Sequence, residues 1–371
     1  MSDLLNKTTF TNGINLKNNI IMAPMTTWSS NDDHTVSDQE LTYYSHRNDG
    51  PGMIITGCTH VQLNGIGFEN EFAAYDDKFI PGLKKLAAAI KENGAKAVLQ
   101  INHAGNKALP QFIENGEVVS ASPVETAATM FVDSLTPKEL SQNEIEQVIK
   151  SFGETTRRAI EAGFDGIEIH GAHSFLIQNF LSPFFNRRDD KWGGSLEKRL
   201  RFPIEVVKEI KRVIEKYAEK DFILGYRVSP EEPMEGALRL KDVYALIDEL
   251  ISLDVTYIHA SLPDALNAHP INNDSTTYLK ELSQYINNRV TFIAAGNIKF
   301  PKDADKVMAF NTLPAIAHAF ITDPSWVQKF ENGNADMIET SIIKDNVSSL
   351  KLPDKLWNFI QNSGNWFDIK S

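Results

Sequence analysis

Two histidines three residues apart, His170 and His173, stand where the run Gly166-Ile167-Glu168-Ile169 gives way to Gly171-Ala172. Imidazoles at that spacing can enter one pocket, and three readings stand side by side. They can donate N–H groups to an oxygen that gains negative charge in a transition state. They can supply two ligands of a Zn²⁺ site, for which the sequence offers no obvious third. They can also be an ordinary pair, one packed and one solvated. Arg227 ends the run Phe222-Ile223-Leu224-Gly225-Tyr226, and a guanidinium buried there needs an anionic or electron-rich partner, either a ligand or Glu231 or Glu232. The turn Ala294-Ala295-Gly296-Asn297 has backbone N–H groups that can cradle a phosphate, unless the glycine serves the turn alone. Pro24-Met25-Thr26, Cys58, Gln100 and His103 also follow or close apolar runs. Asn64-Gly65-Ile66-Gly67-Phe68-Glu69-Asn70 lacks the third glycine of a dinucleotide-binding turn and reads as a loop.

The elements that must position these groups are visible as alternation. Short apolar runs at 20–24, 53–59, 97–102, 166–170, 223–228, 257–260, 291–295 and 315–320 are separated by longer amphipathic stretches. Continuous apolar character suits strands buried on both faces, so the pattern predicts an α/β fold with a parallel sheet wrapped by helices. Eight such runs predict one TIM (β/α)8 barrel, whose strand ends face the active site. Ile145, Val148, Ile149, Phe152, Thr156, Ala159 and Ile160 recur at helical spacing before Ala162-Gly163, and similar periods mark helices over 196–217, 243–251 and 278–286. Residues 106–136, broken by Pro110, Gly116 and Pro123, read as an insertion after the third strand. No composition shift divides the chain, so residues 1–371 read as one domain, with a barrel core over about 19–330 and a C-terminal extension over 331–371.

Composition narrows the partners. At 371 residues a large core is available, and 37 Lys+Arg against 49 Asp+Glu leave a net charge of −12. That balance argues against nucleic acid and against an anionic membrane surface, and it requires any phosphate to be held by local geometry. The single cysteine, Cys58, rules out an intramolecular disulfide and a Cys-ligated cluster. With no signal-peptide pattern and no apolar stretch of bilayer length, the expected location is the cytoplasm.

The residues resemble the old yellow enzyme family of FMN-dependent oxidoreductases. The block from Gly163 through His170 continues through Phe180-Leu181-Ser182-Pro183 and Asn186-Arg187-Arg188 to Trp192-Gly193-Gly194-Ser195-Leu196-Glu197-Lys198-Arg199. Ala23-Pro24-Met25-Thr26 and Asp323-Pro324 extend the likeness over the expected barrel. The resemblance implies FMN over the C-terminal mouth of the barrel, reduced by NADH or NADPH, and a small-molecule electron acceptor; a homo-oligomer is left open. By the same resemblance Pro24, Met25 and Thr26 contact the flavin ring, Cys58 forms a shelf beside it, and Gln100 pairs with its pyrimidine edge. Arg227 is the implied cation near N1 and O2. Gly296 and Asn297, with Ala317 and His318, fall at the phosphate. His170 and His173 hold the substrate oxygen while hydride passes from flavin N5, and Trp28 lines the substrate pocket.

Two positions depart from the family. Phe175 stands where a tyrosine delivers a proton to carbon, so either water or another side chain protonates the product, or the acceptor is a quinone, nitro compound or oxygen. Ala317-His318 replaces a glycine-arginine phosphate contact, making phosphate binding depend on pH. A flavin-binding sensor or store with little turnover is the alternative these departures suggest, and a cofactor-free barrel lyase is a third reading.

Overall fold

The barrel strands arise where β-branched and small apolar residues run without interruption. The computed structural model describes residues 2–371. Its eight parallel strands are β1 (Ile21–Met22), β2 (Met53–Ile55), β3 (Lys96–Asn102), β4 (Gly166–Gly171), β5 (Ile223–Val228), β6 (Tyr257–Ser261), β7 (Thr291–Ala295) and β8 (Thr312–Ile316). Each pairs with the next, and β8 pairs with β1 to close the cylinder. An antiparallel hairpin, Thr8–Thr9 with Asn15–Leu16, plugs the bottom, and its Phe10 packs on Tyr257 at 6.0 Å within the interior core of Ile21, Met53, Val98, Ile223 and Ile293.

Helices cover the outside in the order α1 (Asp38–Ser45), α2 (Ile80–Lys91), α3 (Gln142–Glu161), α4 (Leu176–Leu181), α5 (Leu196–Tyr217), α6 (Leu240–Ser252), α7 (Tyr278–Ile286), α8 (Pro301–Met308), α9 (His318–Thr322), α10 (Trp326–Glu331) and α11 (Asp354–Asn362). Their ends are chemically marked. Ser141 and Glu144 form a reciprocal capping box on α3, Ser195 caps α5, and Gly163 adopts φ +82° just past α3. Among the described residues no helix is long and apolar enough to cross a membrane.

Two expected strands differ. The run 53–59 is interrupted because Thr56 offers its hydroxyl oxygen to Gln100 N–H (3.1 Å), and Gly57 N–H turns to the Tyr44 hydroxyl (2.9 Å). Thr59–His60 then rejoins the sheet against Ile101 and Asn102 at the tip of β3. The run expected at 315–320 is split. The strand ends at Ile316, Ala317 leaves the extended region at φ −109°, ψ −85°, and the apolar residues Ala319, Phe320 and Ile321 belong to the buried side of α9. A short apolar run lacks the length to distinguish a strand from a buried helix.

The stretch after β3 is a set of single 3₁₀ turns followed by a tip bridged at Thr126 and Leu135, where Met130 is 72% exposed. At the other end of the chain, Ile342–Ile343 pairs with Ile369–Lys370, and α11 buries Leu356 and Ile360 in the core shared by the barrel strands and their helices.

Candidate active site

Parallel register puts residues of one parity inside the barrel, and the upper inward positions are polar. Glu168 lies beside Gln100, His170 beside Arg227, and Arg227 beside His259. The carboxylate of Glu168 is fully buried and accepts from Gln100 Nε2 (2.6 Å), Tyr257 Oη (2.9 Å) and His259 Nδ1 (2.9 Å). Burial pushes this carboxyl up, but His259, Arg227 and Gln100 outweigh it and hold it below the ordinary carboxylate value. It is therefore the fixed counter-charge for Arg227.

That arrangement answers the question of Arg227's partner. Glu231 and Glu232 do not serve it. Glu232 takes Gln178 Nε2 at 2.7 Å and the hydroxyls of Ser174 and Ser182, whereas Glu231 takes Tyr278 Oη at 2.8 Å. Arg227 instead donates from Nη2 to Ser261 Oγ (2.9 Å), and its buried Nε–H has no partner. Because a buried guanidinium N–H is costly to leave unpaired, an electron-rich ligand above the strand ends fits this position.

The two histidines meet. His170 Nε2 and His173 Nδ1 are 3.1 Å apart, and His173 Nε2 is 2.8 Å from Ser261 Oγ. Arginine only donates, so Ser261 accepts from Arg227, and its own hydroxyl hydrogen is free for His173 Nε2. Carried on, that polarity sends His173 Nδ1–H to His170 Nε2 and leaves a proton on His170 Nδ1, a buried atom without a partner. Burial, reinforced by the charge of Arg227, lowers His170 to about 3 and His173 well below its ordinary value, so both rings are neutral at pH 7. His173 and Ser174 both have positive φ, +57° and +56°. This strained pair is pinned by Lys107 Nζ on the His173 carbonyl (2.7 Å) and by His173 N–H on Ser229 Oγ (2.9 Å).

The remaining sequence-derived residues ring the same end of the barrel. Pro24, Met25 and Thr26 follow β1, and Gly57 lets β2 approach them, since a Cβ there would lie 2.6 Å from the Met25 carbonyl oxygen. Cys58 is buried with its thiol 3.4 Å from Gln100 Oε1, and burial pushes it far up, so it is an inert thiol. Gln100 gives one amide N–H to Glu168 and accepts the Cys58 thiol at its oxygen, so its second N–H and the oxygen's remaining lone pair are what it can offer a ligand. After β7, Gly296 is required by contact, because a Cβ would lie 2.6 Å from Leu262 O and 2.8 Å from Ala265 N. Asn297 follows at φ +52°, with its side-chain amide on Asp264 (2.9 Å). Ala317 precedes α9 and His318 opens it, the His318 Nε2 accepting from Trp366 Nε1–H at 3.1 Å.

Phe175 stacks on His170 at 4.5 Å and 21°, covering one face of the imidazole. Trp28, φ +49°, stacks on Phe359 of α11 at 4.2 Å and meets Phe68 and Trp366 edge-on. The Asn64–Asn70 segment is a loop, with Gly67 N–H on Glu71 Oε1 (3.1 Å). Sequence reading missed Glu168, His259 and Ser261 as site residues, although the inward parity shared with Gln100, His170 and Arg227 marks them. Glu40, beneath the Trp28 loop, and the C-terminal rings left no local signal. Among the described residues, no group of three or more His, Cys, Asp or Glu side chains is placed to hold a metal ion.

Residues 5–337 match the sequence profile of the NADH:flavin oxidoreductase / NADH oxidase family. The chain is 41% identical over 365 residues to a probable NADH-dependent flavin oxidoreductase of Bacillus subtilis (strain 168), covering 98% of this chain and 96% of that protein. It is 36% identical to the NADH:acrylate oxidoreductase of Vibrio harveyi over 97% of this chain, but spans only 36% of that longer protein. Among solved structures, morphinone reductase in complex with tetrahydroNAD superposes with a TM-score of 0.77 at 25% identity, covering 90% of this chain and 92% of that one. Profile, relatives and barrel agree: the chain belongs to the NADH:flavin oxidoreductase / NADH oxidase family, the FMN-dependent NAD(P)H oxidoreductases of old yellow enzyme type.

Proposed function

We propose that the mouth formed by Arg227, His170 and His173 is where this oxidoreductase receives both its nicotinamide reductant and an electrophilic small molecule. The observation that carries the reading is the unbroken connection Arg227–Ser261–His173–His170, which places a buried cation and two neutral imidazoles on adjoining strand ends. FMN, when bound, supplies the redox chemistry by taking hydride from NAD(P)H and returning it to the acceptor.

The chain's own residues do the rest. Arg227 offers its free Nε–H and permanent charge to the electron-rich edge of the flavin, while Pro24, Met25, Thr26 and Cys58 border the ring. The Gly296-Asn297 turn, with Ala317 and His318, receives the phosphate through backbone N–H groups; with Nε2 accepting from Trp366, His318 can add its Nδ1–H, and protonation adds charge. His170 offers its unpartnered Nδ1–H to an acceptor oxygen, and His173, whose own N–H is given to His170 Nε2, fixes that tautomer; both rings being neutral, no second buried charge stands beside Arg227, and the donation strengthens as negative charge develops on the acceptor. Phe175 holds the His170 ring by stacking and has no proton to deliver. Acceptors that need no proton on carbon, such as quinones and nitro compounds, therefore suit this site best, with enones reduced through a proton from water. The location we propose is the cytoplasm, where the buried, unreactive Cys58 thiol stays reduced.

The test is direct. The protein is purified and its released flavin identified; it is then reduced anaerobically with NADH and NADPH in turn, and offered enone, quinone, nitro and oxygen acceptors. Bleaching followed by reoxidation is the expected result. FMN that stays oxidised under both nicotinamides would favour the storage or sensing alternative.

A further inference from the structure

Five large rings from segments far apart in sequence converge at the barrel mouth. Trp28 follows β1, Phe68 follows β2, Phe131 sits at the tip of the long segment after β3, and Phe359 and Trp366 come from the C-terminal end. Phe68 meets Trp28 at 5.7 Å and Phe131 at 5.8 Å, Phe131 lies parallel to Phe359 at 5.9 Å, and Phe359 stacks on Trp28 at 4.2 Å. Trp366 closes against both Trp28 (5.8 Å) and Phe359 (5.5 Å). This cluster is anchored at both ends of the site. Phe68 reaches Phe175 at 6.2 Å, and Phe175 lies on His170, whereas Trp366 reaches His318 at 5.6 Å and donates to it.

We propose that the C-terminal segment is part of the acceptor site, Phe359 and Trp366 joining Trp28, Phe68 and Phe131 to select flat conjugated-ring acceptors over short-chain carboxylates. The inference rests on the oxidoreductase reading and adds the acceptor class to it. All five rings are only half-buried, so the cluster presents contiguous aromatic surface beside the histidines instead of completing a closed core. Stacked and edge-on partners attract another flat ring through its quadrupole and its area. Among the described residues, no lysine or arginine lies over a ring of this cluster to pair with a carboxylate; those that lie over aromatic rings use Tyr43, Tyr75, Phe79, Phe184, Trp192, Tyr217, Tyr285 and Phe300. Lys355, on α11, is turned to Asp32 at 3.2 Å, and Lys107 is turned to the His173 carbonyl.

The experiment uses the full chain with FMN, chemically pre-reduced so that the nicotinamide step is bypassed, and mixed anaerobically with a cyclic enone, a methylated benzoquinone, acrylate or fumarate. The oxidised protein is titrated in parallel with 4-hydroxybenzaldehyde, read by flavin absorbance and tryptophan fluorescence. Removing one ring contact by Phe359→Ala or Trp366→Ala should lower kcat/KM for the ring acceptors and weaken the phenol by roughly 3–10-fold, with the carboxylates changed by less than about twofold. Trp366→Phe, which keeps a ring but loses the bond to His318, should retain the ring preference. Phe359→Leu keeps apolar volume without a ring and should lose the preference, so it carries the test if an alanine variant fails to fold. Equal losses for rings and carboxylates, or no loss for either, would overturn the proposal. If the wild-type protein reduces none of the acceptors, it is the oxidoreductase reading that fails, and the phenol titration still decides the role of the rings.

Discussion

Glu40 lies on α1 with its carboxyl buried beneath the loop that carries Thr26 and Trp28. It accepts from Thr27 Oγ1 (2.6 Å), Ser30 Oγ (3.2 Å) and Ser37 N–H (3.1 Å), tying down both sides of Trp28. Burial, opposed in part by those donors, raises it from 4.5 to about 7. A group whose folded-state value exceeds its unfolded value contributes stability that is complete below the unfolded value and is lost as pH rises through the folded one. The interval from 4.5 to about 7, at about 1.4 kcal/mol per pH unit, corresponds to about 3 kcal/mol of stability lost between pH 4.5 and 8. Glu40→Gln keeps the shape and cannot ionise, so it should lack this slope. The assay is guanidinium unfolding of both proteins at fixed FMN between pH 5 and 8, taking the difference between them so that other titrations cancel. Wild type should lose ground to the variant up to about pH 7 and level off towards pH 8. Differences constant to within about 0.5 kcal/mol, the scatter of an ordinary surface substitution, would refute the reasoning.

Arg227→Ala should weaken FMN binding and lower the flavin reduction potential, with Arg227→Lys recovering part of both; flavin titration and potentiometry check this, and an unchanged potential would remove Arg227 from the flavin edge. Burial, with Lys299 adding, holds His318 below its ordinary value, so any phosphate contact from the protonated ring should fade as pH rises towards neutrality. His318→Arg should abolish that dependence and slow FMN loss at pH 8, as measured by ultrafiltration; identical retention curves would exclude the side chain. Replacing His170 or His173 with Ala should weaken phenol ligands by about 1–3 kcal/mol in the same flavin titration, whereas full affinity would mean that the oxygen is held elsewhere. A tyrosine at position 175 would supply the phenolic hydrogen that Phe175 lacks, on a ring that already stacks on His170. Phe175→Tyr should therefore raise enone turnover relative to quinone turnover by about 10²-fold, and an unchanged ratio would show that another donor already serves.

Much of this was legible along the chain because it depends on neighbours in sequence. Strands β4, β5 and β7 read as apolar runs because both faces of a barrel strand are buried, and α5 and α7 read as helices because one stripe is. His170, His173 and Arg227 were visible because a parallel barrel presents strand ends to its active site, so position along a run already implies position in space. The family follows from the same local blocks, above all the stretch from Gly163 to Arg199. What pairs with what is a different kind of information. Arg227 had Glu231 and Glu232 close in sequence, yet its counter-charge is Glu168 on the neighbouring strand, because inter-strand register and inward parity override proximity along the chain. The split of 315–320 into a strand end and α9 was hidden because a short apolar run is compatible with either state. The contact of Phe359 and Trp366 with Trp28 spans more than three hundred residues, and no periodicity encodes it; only the closed barrel, by bringing the C-terminal segment back over its own first loop, decides that those rings meet Trp28.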